Sequence, residues 1–161
     1  MELPKINLLC YKSVNESSIL SGPTKIMNKY KIIQDSVGPK RSFTITVGLK
    51  EGYDSFHSHG HNIFELMWSS TDWMKHRVEK NLPYLPGMWK TAEMNYIHNG
   101  MHICEPVATF SGEINHLYNS DLENWEIEKV LNELASILGS TTNQTRVYLT
   151  LCDKMWILEK E

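Results

Sequence analysis

The chain is short of the features that most often reveal a function. It has three cysteines in 161 residues, Cys10, Cys104 and Cys152. They are odd in number, far apart and without a C-x-x-C pair, which argues against a disulfide framework and for a reducing compartment. Cys10 and Cys152 sit in apolar stretches, where a free thiol is expected to behave as a small buried hydrophobe. No run approaches the roughly 20 apolar residues of a helical membrane span. The first nine residues have no charged n-region and no long apolar run, so no signal peptide is expected there and the location reads as cytoplasmic. On that reading the sequons at Asn15 and Asn143 are accidental.

Basic charge is also scarce. Lys plus Arg number 16 against 19 Asp plus Glu, giving a net charge of -3 and a pI near 6.2. Duplex binding draws on a strong basic field to displace counterions, so nucleic acid is set aside as a main ligand. The sequence lacks G-x-S-x-G, a Walker A run and a clustered-glycine dinucleotide fingerprint. Cys104 beside His102 is not a dyad, because catalytic Cys and His partners meet through the fold and not by adjacency. Two-histidine phosphoesterase chemistry would want two separated H-x-[ST] pairs, and only Ser58 after His57 comes near.

What is present is enough for one domain over residues 1–161. The composition, 41% hydrophobic and 22% charged, is that of a chain that folds on its own. Phe43, Ile45, Val47 and Leu49 alternate with small or polar residues, the period of a half-buried strand, with a turn at Gly38-Pro39 before them. Residues 6–11 and 30–33 are further, N-terminal strand candidates. Ile63, Leu66, Met67, Met74 and Val78 fit a helix over 62–80, interrupted at 69–72 and read as two pieces with Ser70 capping the second. Strands are expected at 92–97 and 106–114, joined by a connection running from Asn99-Gly100 to Glu105. Ile127, Val130, Leu131, Leu134 and Leu138 predict a helix over 120–138, with Ser120 and Glu123 at capping-box spacing and Gly139 closing it. A hairpin over 146–158 follows, with Val147, Leu149 and Leu151 on one strand face. From residue 43 the order is strand, helix, strand, strand, helix, strand, strand. The most economical architecture is α+β: an antiparallel sheet with two main helices on one face, ferredoxin-like (split βαβ), with extra N-terminal strands.

Three clusters carry chemistry. His57, His59 and His61 alternate ahead of the first helix, with Glu65 one turn on; three imidazoles and a carboxylate could hold zinc, against the plainer reading of a polar loop that caps the helix. Asp121, Glu123, Glu126, Glu128 and Glu133 make the second helix acidic, either a solvated face or a docking face that steers a basic protein partner. Trp68, Trp73, Tyr84, Trp89 and Tyr96 crowd around a Pro-rich connection, as recognition surface or as core lid. His98, His102 and His116 read as solvated loop residues.

With no catalytic motif, the leading expectation is a non-catalytic binding protein, an inhibitor or toxin-neutralising immunity protein of a bacterium or phage, with no cofactor. The alternatives are a zinc-binding protein or small metal-dependent enzyme using the histidines, and a small-molecule binder or isomerase-like enzyme with its pocket between sheet and helices. The sequence sets no oligomeric state.

Overall fold

A computed structural model of the chain describes residues 31–34, 36–51, 60–119 and 121–161. Residues 33–161 form one compact unit; of the other unit, Met1–Ile32, only residues 31 and 32 are described.

The period-two stretches build one antiparallel sheet. Its strands are β1 (Ser42–Gly48), β2 (Met88–His98), β3 (Met101–Glu113), β4 (Arg146–Leu151) and β5 (Lys154–Glu159), in the order β2-β3-β1-β4-β5. Among the described residues three helices join it: α1 (Ile63–Glu79), the short α2 (His116–Asn119) and α3 (Asn124–Thr141). Without β5 this is the split βαβ order, so the ferredoxin-like α+β reading holds. The additional strand is C-terminal: β5 pairs along β4 from Arg146↔Glu159 to Leu151↔Lys154. Residues 31–33 carry no strand, and the candidate at 6–11 lies outside the described residues.

Register decides which side of the sheet is core. Phe43, Ile45 and Val47 stand opposite Gly112, Phe110 and Ala108 of β3, and Phe43 and Ile45 opposite Leu151 and Leu149 of β4. On that face these side chains are buried with Leu66 and Trp73 of α1 and Ile127, Val130, Leu131, Leu134 and Leu138 of α3. Burial at about 25 cal/mol per Å² of apolar surface makes this layer the main stabilising term. The alternate residues, Thr44, Thr46, Thr109, Tyr148 and Thr150 among them, fall on the opposite face, where no described element covers the sheet.

Several local expectations shift. The helix over 62–80 is one piece, capped by Asn62 with Glu65 completing the capping box. Ser70 lies inside it, buried, its hydroxyl bonded back to Met67 O and accepting from Trp89 Nε1. The second helix starts later than expected, at Asn124, with Glu123 and Glu126 as its capping box, while Ser120 lies outside the described residues. It also runs through Gly139 to Thr141. Gly139 does not close the helix: a Cβ there would lie 2.7 Å from Val147 Cγ2, so the glycine lets α3 approach β4. The β2–β3 connection is tight, because Asn99 and Gly100 both take positive φ (49° and 76°), the pattern of a two-residue type I′ turn. Pro106 obscured this in the sequence, and β3 carries it just beyond the last residue paired with β1. Cys152 is not buried: it is the exposed first residue of the β4–β5 turn, at φ 55°.

Candidate functional site

On the uncovered face a pocket of about 230 Å³ opens between the end of β1, the β2–β3 hairpin and the start of β4. Antiparallel register places Met94 directly opposite Glu105, and alternation sets Tyr96 beside them. The opposite wall comes from the far end of the chain. After α3, Asn143 takes φ 50°, and the Gln144 amide N–H bonds to Gly139 O at 2.8 Å, which turns Gln144, Thr145 and Arg146 back toward β1. The floor is Gly48. A Cβ there would stand 2.5 Å from Gln144 Oε1 and 2.7 Å from Glu105 Oε1, so a glycine is what lets these two groups close over the strand.

Glu105 is the reactive-looking member. Burial pushes its carboxyl above the ordinary value, only partly opposed by the Tyr96 hydroxyl, which donates to Oε2 at 3.3 Å, and by the positive charge of Lys50. Among the described residues no Lys, Arg or His lies within ion-pair distance of it. Arg146, on the same pocket, is held by Glu159 through Nε and Nη2 at 2.9 and 2.8 Å. A part-buried carboxylate with no ion-pair partner among the described residues, in a concave site, is a common setting for function. Two wider grooves, of about 470 and 560 Å³, lie by Leu82–Tyr118 and by Phe43–Gly112, but neither gathers converging titratable groups.

The residues singled out by sequence lie elsewhere. His57 and His59 are outside the described residues. His61 and Glu65 do meet: His61 Nδ1 is 2.9 Å from Glu65 Oε2, and Glu51 Oε1 lies 3.4 Å from Nε2. The bond from His61, then that from the Asn62 amide, holds the Glu65 carboxyl below its ordinary value. Among the described residues no group of three His, Cys, Asp or Glu converges on one point. The acids of α3 have partners within the chain. Glu123 and Glu126 close its N-terminus, and Glu128 takes the Lys154 ammonium at 2.8 Å. Glu133 accepts from Trp73 Nε1 and Arg77 Nη1 at 2.8 and 2.6 Å, tying α3 to α1. Burial would raise the Glu133 carboxyl, but Arg77 and Trp73 outweigh it and hold the group below its ordinary value. Trp73 is buried and Trp89 packs 5.1 Å from the Phe110 ring, while Trp68 is exposed. Cys104, although exposed, donates to Glu93 Oε2 at 3.4 Å, and that bond raises its thiol above the ordinary value.

Sequence reasoning missed Glu105, Gln144 and Gly48 altogether. The available signal was a carboxylate inside a strand, at a position alternating with Val107 and Thr109. Tyr96 reaches it across the hairpin, but Gly48 and Gln144 come from distant segments of the chain, and no local pattern links them.

No protein-family model and no curated protein matches this sequence. Among solved structures, the chain is similar to a phage SAM lyase in complex with S-methyl-5'-thioadenosine, with a TM-score of 0.59 and 14% identity over 81% of this chain and 98% of that one. It is likewise similar to a phage SAM lyase in the apo state, with a TM-score of 0.58 and 17% identity over the same shares of the two chains. These likenesses establish the shared fold. They also correct the expectation of a non-catalytic inhibitor or immunity protein, with which they conflict: the two solved chains, matched along 98% of their length, are those of a lyase.

Proposed function

We propose that this chain is an enzyme of small cationic nucleosides, a lyase that splits S-adenosylmethionine in the pocket of Glu105. The observation that carries the reading is Glu105 itself, a part-buried carboxylate lacking a described cation, on the open face of a fold shared with phage SAM lyase. Arg146 gives the same pocket a positive wall, so a zwitterionic substrate end meets both signs. The volume, about 230 Å³, is below the range of sites that enclose a whole drug-sized ligand. The pocket therefore takes one end of a nucleoside-sized molecule.

The chemistry asks little of side chains, in keeping with the missing motifs. A sulfonium is already an activated leaving group. When its bond to the aminobutyryl carbon breaks, the electron pair stays on sulfur and leaves the neutral thioether S-methyl-5'-thioadenosine. The same displacement forms the new bond: the substrate's own carboxylate oxygen attacks that carbon as the sulfur leaves, which closes a lactone with no water added. The protein's part is to hold the chain folded so that oxygen and carbon meet, a proximity effect.

Incubation of the purified chain with S-adenosylmethionine, followed by chromatography, tests the reading. One equivalent of S-methyl-5'-thioadenosine per substrate consumed is expected. Intact substrate after prolonged incubation would sink it, and tight binding without turnover would favour the small-molecule binder instead.

A further inference from the structure

Gln144 occupies a position the lyase reading does not need, and its orientation is fixed. Its Nε2 donates to Lys50 O at 2.6 Å and to Thr142 O at 3.3 Å, so both amide hydrogens are committed and Oε1 must face the other way. That way is toward Gly48, where Glu105 Oε1 also lies: the two oxygens stand 2.5 and 2.7 Å from where a Gly48 Cβ would be, so both close over the bare Cα and face the pocket side by side. The Tyr96 hydroxyl is engaged with Oε2 of Glu105, not with Oε1. Two acceptor oxygens thus converge over a glycine in a concave site, with no described donor between them. Both can accept from a ligand in the pocket, and a positively charged donor answers both the hydrogen bonding and the Glu105 charge.

We infer that Gln144 Oε1 and Glu105 Oε1 form a subsite for the primary ammonium group of the substrate, with Gln144 a specificity-determining residue. The inference rests on the reading of the pocket as a substrate site and assigns which cationic group enters it. An ammonium has the N–H donors that two acceptors require; a sulfonium has none. Placing Glu105 at the ammonium also suits the reaction. The sulfonium loses its charge as the bond breaks, and a carboxylate set against it would stabilise the ground state more than the transition state. A carboxylate on the ammonium, whose charge persists, holds substrate without that penalty. Gly48 keeps the seat open, since any Cβ would displace one oxygen or the other.

Calorimetric titration with S-adenosyl-L-homocysteine, which has the ammonium but no sulfonium, and with its deaminated analogue tests the subsite. The wild-type chain should prefer the amine by about tenfold or more, the size of one charge-assisted hydrogen bond. Gln144→Leu should lose most of that preference while binding S-methyl-5'-thioadenosine as the wild type does. Because Gln144 also tethers Lys50, Glu105→Gln is run beside it with thermal unfolding of both, and it too should lose the preference. Equal wild-type affinity for amine and analogue, binding of neither, or a preference that survives in both variants would overturn the subsite. Cleavage of S-adenosylmethionine is scored separately. Turnover without amine preference leaves the lyase and removes the subsite, whereas amine preference without turnover does the reverse.

Discussion

The two faces of one sheet, made from alternate residues of the same strands, have been given opposite tasks. On the helix side β1 presents Phe43, Ile45 and Val47, all buried, to apolar partners from α1 and α3. One residue along, the other side presents Thr44, Thr46 and Gly48, and its neighbours include Glu105, Tyr148 and Arg146. The covered face is mostly apolar, its few polar groups bonded to one another as Trp89 is to Ser70; the open face carries the pocket and its carboxylate. Stability and function should therefore respond to different substitutions in the same strands.

The sharpest test of the covered face is Leu134→Ala. Leu134 is fully buried, so unfolding free energy should fall by about 2–5 kcal/mol in a denaturant titration, while activity per folded molecule holds. Glu105→Gln is the counterpart on the open face. Its kcat/KM for S-adenosylmethionine should drop by about tenfold or more, chiefly through KM, because the ammonium keeps its charge through the reaction and the contact is made equally in ground and transition states. Its stability effect should be small and dependent on pH. The folded carboxyl sits above its ordinary value, so the favourable contribution is complete below the unfolded value and is lost as pH rises through the folded one. With Glu105 only part-buried and therefore screened by solvent, that slope should amount to less than about 1 kcal/mol, and it should vanish in the variant. Gly139→Ala tests the close approach of α3 to β4. Its Cβ would meet Val147, and a loss of about 1–3 kcal/mol is expected from overpacking, read as a lower unfolding midpoint. The smallest effect should come from Ile157→Lys on the open face of β5, within about 0.5 kcal/mol, because Ile157 is already 48% exposed. A large loss there would mean that the open face is covered after all and would break the comparison.

The covered face was legible in the sequence and the open face was not, for a physical reason. A core repeats apolar residues at the period of its element. Phe43 to Leu49, Ile127 to Leu138 and Val147 to Leu151 therefore announced strand, helix and strand, and their order implied the topology. Ends read less well, because they depend on contacts across the fold. Gly139 looks like a stop until Val147 is set against it, and Pro106 looks like a break until β1 is seen to end beside it. The pocket has no period at all. Gly48, Glu105 and Gln144 come together only once β1, β3 and the turn after α3 are adjacent, while the alternating histidines, conspicuous in the sequence, left only His61 to be placed.

The uneven lengths of the strands carry one more consequence. β3 pairs with β1 from Val107 to Glu113, and the Leu49 amide adds one bond to Pro106 O at 2.9 Å, so among the described residues its stretch from Met101 to Glu105 has only β2 as a ladder partner and forms, with it, a two-stranded ribbon. A lone pair of strands is marginal in water, yet this one carries Met94, Tyr96 and Glu105, one whole wall of the pocket. The pocket thus has a stiff side anchored in the five-stranded sheet and a springy side that opens at little cost. Occupancy should register as slowed amide hydrogen exchange at Tyr96 and Glu105, with the amides of β1 and β4 unchanged, so the ribbon would report ligand binding through its own breathing.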